Sequence, residues 1–189
     1  MTYTTTIPRE LSRRRIDQPI PLRLSRKTCQ AQFLIVCHGS GSYGDAAVGP
    51  LVATAVSDWQ LDSVNAVAIA QFTPDLTLEL AKADYVIFVE PCANSQRAIQ
   101  LCPIVARQPQ SEANYGEANS CSPHALLRLT QQLHNASPQS WLLKVPTKDF
   151  RFAEELSSTA KTGISQALKI ITQFLRTYQL PLRQLQNLS

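Results

Sequence analysis

Three side chains in this sequence stand where apolar segments end and could form a site together. Asp45 follows the run "FLIV" inside "CHGSGSYGDAAVGP", Glu90 closes "YVIFVE", and His124 opens "PHALLRLTQQLH". A carboxylate at the end of a buried run is costly to leave unpaired, and two acids with one imidazole make a donor set suited to a borderline divalent metal. Each residue also has a plainer use: Asp45 as a helix cap, Glu90 as the partner of a basic side chain, His124 as the occupant of a first helical turn. The same loop contains Gly39-x-Gly41-x-x-Gly44, the spacing of a dinucleotide-binding turn. Asp45 puts negative charge where the pyrophosphate would sit, however, and Gln71 stands where an acid for the ribose is needed. The glycines are therefore expected to allow tight turning around a side-chain site, or close packing at a strand-helix corner.

The elements that must position these residues alternate in type. "QFLIVC", "VNAVAIAQF" and "DYVIFVEP" are apolar runs of strand length, and "GPLVATAVSDW" and "PDLTLELAKA" between them carry helical apolar spacing. Strand-helix-strand-helix-strand implies a parallel sheet. "LCPIVARQ" reads as a short strand whose proline belongs at a sheet edge. Residues 107–121 are polar and loop-like, and are expected over or beside the cleft. In "SPHALLRLTQQLH", Ser122 is the expected cap, Pro123 the first turn, and Leu126, Leu129 and Leu133 the apolar face. "SWLLKVP" is a last strand, and Ile164, Ala167, Leu168, Ile171, Phe174, Leu175 and Tyr178 form one helical stripe. The fold class is α/β, a three-layer α/β/α sandwich with a mostly parallel five-stranded sheet. Strand-end loops of such sheets gather ligands.

A chain of 189 residues holds one core. The expected organisation is a basic, flexible arm over 1–30, a domain over 31–180 and a tail over 181–189. The arm carries seven basic and two acidic residues, hence +5 of the net +4, so the rest is −1 and gives no reason to expect nucleic acid. Its composition cannot bury a core, and truncation up to about Lys27 is expected to leave the domain folded. No run approaches the length of a membrane span and no secretory signal opens the chain, which gives a cytoplasmic expectation without membrane insertion. Five cysteines with no C-x-x-C pair argue for reduced thiols.

"FLIVCHGSGSYGDAAVGP", "QFTPDLTLELAKADYVIFVEP", "CSPHALLRL" and "KDFRFAEELS" occur in the order and spacing of the hydrogenase maturation endopeptidase family, which the chain resembles from about Phe33 to Tyr178. The resemblance implies an α/β sandwich with a largely parallel five-stranded sheet. It implies a hydrolase that removes the C-terminal extension of a nickel-iron hydrogenase large subunit after nickel insertion. It implies no cofactor of the enzyme's own, the nickel being part of the substrate, and a large-subunit precursor or related metalloprotein as partner. The implied metal contacts fall on position 46, Glu90 and His124, with Glu90, His124 and Asp45 as the catalytic set.

This sequence departs from that pattern. Ala46 stands where the motif has its second acid, Glu90 replaces the usual aspartate and is followed by Pro91, Ser40 replaces an asparagine, and Ala68 stands where many members have another acid. Two readings follow: an endopeptidase in which Asp45 or a substrate group replaces the lost ligand, and a catalytically impaired paralogue serving as a binding or assembly factor. Cys37, His38, Cys92 and Cys121 flank the same strand ends. They are either small core residues or neighbours, or donors of a metal site rebuilt with sulfur.

Overall fold

The computed structural model describes residues 30–40, 44–93, 98–106, 122–148 and 155–178. The arm and the tail, the 107–121 segment, Cys29, Cys121 and much of "KDFRFAEELS" lie outside the described residues. Strands β1 (Phe33–His38), β2 (Val64–Ile69), β3 (Tyr85–Cys92), β4 (Gln100–Ile104) and β5 (Gln139–Pro146) form one sheet in the order β2-β1-β3-β5-β4. All pairings are parallel except β4 with β5, so the sheet is five-stranded and mostly parallel. The helices are α1 (Val48–Ser57), α2 (Thr77–Lys82), α3 (Pro123–His134) and α4 (Ser158–Thr177).

Side chains alternate across a strand, and here both faces are covered. Phe33, Ile35, Cys37, Ile87, Val89, Leu143 and Val145 meet α1 and α4 through Val48, Val52, Ala167 and Ile171. Leu34, Val36, Val86 and Phe88 meet α2 and α3 through Leu80, Leu126 and Leu127. Burial on both sides explains why β1 and β3 read as unbroken apolar runs. The α4 stripe packs as its spacing predicts. Its end joins an aromatic cluster, with Phe174 4.7 Å from Trp141 and 4.5 Å from Tyr178 between ring centroids.

The α3 face differs from expectation. Leu126 and Leu127 are buried with Thr130, Leu129 is only half-buried, and Leu133 is 60% exposed. Leu133 lies in the last turn, beyond the covered stretch that holds Leu126, Leu127 and Thr130. β2 also departs from a fully buried strand: among the described residues it pairs on one side only, and Asn65 and Ala68 are exposed. The edge reading of "LCPIV" holds, with Pro103 in the outermost strand, where a missing N–H leaves no gap inside the sheet. The cap of α3 is also as read: Ser122 Oγ accepts the Ala125 N–H at 3.2 Å. Ser122→Ala is expected to lower stability by about 1 kcal/mol, measured as a shift of the urea midpoint at constant slope.

Candidate functional site

Strand order reverses at β1, since β2 lies on one side of it and β3 on the other. The carboxyl ends of β1 and β3 therefore flank the crevice where open α/β sheets take their ligands. Glu90 stands at that end of β3. Val86 and Phe88 face α2 and α3, and Glu90 continues their alternation on that face. β3 runs two residues beyond Glu90, through Pro91 and Cys92, where the Cys92 carbonyl accepts the Thr147 N–H. Burial pushes the Glu90 carboxyl above its ordinary value of 4.5, while His38, Lys144 and His124, in that order, pull it back down.

His124 sits in the first turn of α3, on the same side of the sheet as Glu90 and close enough for the two to interact electrostatically. Its Nδ1 lies 2.8 Å from the Val105 carbonyl oxygen. A carbonyl can only accept, so Nδ1 carries the proton and Nε2 is the ring nitrogen left for a ligand. Val105 also borders a groove of about 360 Å³ lined by Ile104, Leu127, Pro138 and Ser140, at the far end of β5 from Glu90.

Asp45 is not brought into this group. It is 2% exposed and its two oxygens accept the Lys148 N–H, the Ser157 N–H and the Ser157 hydroxyl, each at 2.8 Å. Nor does it cap α1, which is preceded by the 3-10 turn Gly44–Ala47 and has no side-chain cap. It fastens the start of α4 instead, since Ser157 is the cap of that helix and accepts the Ala160 N–H. Ala46, the position of the missing acid, is held against the first strand: a Cβ on Gly39 would lie 2.4 Å from the Ala46 carbonyl oxygen. Close strand-helix packing is thus the use of that glycine.

Two residues join the site from neighbouring strands. His38, named from the sequence only among the possible donors of a rebuilt metal site, lies by its alternation on the face of Leu34 and Val36, with its ring stacked 5.0 Å from Phe72 and Nε2 3.1 Å from the Ala70 carbonyl. Lys144 pairs in register with Glu90 on β5. Its signal was a lone cation in "WLLKV".

Among the described residues the cysteines do not gather into a metal site, and Cys121 lies outside them. Cys37 faces the α1/α4 core, and burial pushes its thiol up to about 12, so it stays protonated at neutral pH. Cys92 is half-buried and Cys102 exposed. Among the described residues no group of three or more His, Cys, Asp and Glu side chains could hold a metal ion. Ala46 carries no side-chain donor, so one of the three contacts implied by the resemblance is missing.

The direction of the Glu90 shift predicts a pH effect. A folded-state value above the unfolded 4.5 means the native state holds the proton longer, so Glu90 contributes stability that is present below pH 4.5 and lost as pH rises through the folded value. Glu90→Gln removes that loss. Urea unfolding between pH 4 and 7.5 is expected to show the variant gaining on the parent as pH rises above 4.5, and a constant difference would contradict the shift.

No protein-family model matches the chain, and no curated protein does. Solved structures do match. The hydrogenase maturating endopeptidase HybD from E. coli aligns with a TM-score of 0.57 at 19% identity, over 77% of this chain and 93% of that one. The hydrogenase 2 maturation peptidase from Thaumarchaeota archaeon SCGC_AB-539-E09 aligns with a TM-score of 0.56 at 19% identity, over 76% and 97%. The [NiFe] hydrogenase maturation protease HycI from Thermococcus kodakarensis aligns with a TM-score of 0.59 at 17% identity, over 79% and 95%. Among the described residues no helix is long and apolar enough to cross a membrane. The fold of this chain, a mostly parallel five-stranded sheet flanked by helices, is that of the hydrogenase maturation proteases.

Proposed function

We propose that this chain acts on the C-terminal extension of a nickel-iron hydrogenase large-subunit precursor, in the cytoplasm, as a peptide-bond hydrolase. The observation that carries this reading is Glu90, a half-buried carboxylate at the strand-order reversal, within electrostatic reach of His124. In its ionised form Glu90 takes a proton from a water whose oxygen adds to the scissile carbonyl carbon. The proton then passes to the amine nitrogen as the carbon–nitrogen bond breaks. His124 is held through Nδ1–H on Val105, which leaves Nε2 as its open nitrogen. Asp45 takes no part in this scheme, because its oxygens are committed to Lys148 and Ser157.

A second reading is favoured by Ala46, which contributes no donor. On it, the chain binds the precursor as an assembly factor and leaves the peptide bond intact. Incubation with a nickel-loaded large-subunit precursor separates the two. Hydrolysis predicts a mass loss at the precursor's C-terminus that Glu90→Gln abolishes, whereas a stable complex with no mass loss supports the assembly role.

A further inference from the structure

His38, Glu90 and Lys144 form a row across three strands. Cys37 pairs with Val89, so the next residues, His38 and Glu90, come side by side at the ends of β1 and β3, and Glu90 pairs with Lys144 on β5. All three continue the alternation that faces α2 and α3, since Val36, Phe88 and Leu142 two residues before them belong to that core. Neighbouring strands lie about 4.8 Å apart, so the acid is one strand step from an imidazole on one side and one from an ammonium on the other. Among the described residues neither Glu90 nor Lys144 makes an ion pair or a side-chain hydrogen bond. His38 is held by its bond to the Ala70 carbonyl and its stacking on Phe72.

A carboxylate and an ammonium one strand step apart, attracted to each other but joined by no hydrogen bond, are complementary to a group that presents an N–H and a C=O on one side. A residue of an extended chain does so, since its own N–H and C=O point to the same edge, and each contact with it would be a charge-assisted hydrogen bond. A divalent metal is a poorer fit, because Lys144 repels it and Ala46 offers no ligand. We propose that the His38–Glu90–Lys144 row is a peptide-binding station that grips an extended segment of the partner protein, with N–H on Glu90 and carbonyl on Lys144, so that recognition does not depend on the partner's metal. The proposal rests on the protein-substrate reading above.

The test measures binding of the full chain to the large-subunit precursor prepared with and without nickel, together with a titration of the chain by Ni²⁺ alone. The expected results are affinities for the two precursors within about threefold of each other, no stoichiometric uptake of Ni²⁺, and about tenfold weaker binding for Glu90→Ala and for Lys144→Met, the effect of one charge-assisted contact. Variants are compared after circular dichroism shows them folded. Binding tightened tenfold or more by nickel, stoichiometric Ni²⁺ uptake by the chain, or unchanged affinity in both variants would overturn the proposal and leave the partner assignment standing. Failure to bind either precursor would overturn both.

Discussion

Asp45→Ala is expected to lower the stability of this domain by about 3–5 kcal/mol, a large share of the roughly 5–15 kcal/mol that holds a domain together. The carboxylate is 2% exposed and accepts two backbone N–H groups and one hydroxyl. Alanine leaves three part-buried donors without that acceptor, and each donor left unsatisfied costs on the order of 1–3 kcal/mol when fully buried. Water entering the vacated space offsets part of the sum, which places the estimate in the lower half of the range. The cost falls on the connection from β5 to α4, because Lys148 follows β5 and Ser157 caps α4. Asp45→Asn is the milder change: it keeps one acceptor oxygen but turns an N–H₂ toward a donor, with an expected loss of about 2 kcal/mol. Urea midpoints at constant slope measure both losses. A variant that keeps its stability and loses hydrolysis would return Asp45 to the chemistry.

This role could not be read from the sequence, and the reason is distance along the chain. Asp45 meets partners 103 and 112 residues away, while every sequence argument about it used its immediate neighbours. The positions of Glu90 near a strand end and of His124 in a first helical turn were readable because the signal for each was local: an acid ending an apolar run, and a histidine just after a serine cap and a proline. The strands were readable for a similar reason, since burial on both faces leaves unbroken apolar runs, and Pro103 marked its strand as an edge. His38 and Lys144 needed register, which depends on how β1, β3 and β5 lie beside one another. Leu133 was misread because spacing shows which residues share a helix face but not how far along the helix a neighbour covers that face.

Gly49→Ala tests how tightly the loop is held, and here two effects of opposite sign compete. Inside a helix alanine is better than glycine by about 1 kcal/mol. Against this, a Cβ at position 49 would lie 2.2 Å from the His38 carbonyl oxygen and 2.6 Å from its carbonyl carbon. Those atoms cannot yield easily, because β1 is paired on both sides and the Gly39 N–H is bonded to the Ile69 carbonyl at 2.9 Å. The helix must move instead, and α1 is fixed by fully buried Val48 and Val52. Overpacking of this kind costs about 3 kcal/mol or more, so the clash wins and the net change is destabilising by about 2 kcal/mol or more. Leu51→Ala on the same helix is the control. Leu51 is 41% exposed, and its loss is expected to be about 1 kcal/mol or less. The shift of α1 would also carry Ala46 and Asp45 with it, so Gly49→Ala should loosen the start of α4. Amide exchange around Ser157 to Lys161 is therefore expected to speed up in this variant and to stay unchanged in Leu51→Ala; equal stability of the two variants would show that the strand-helix corner is slack.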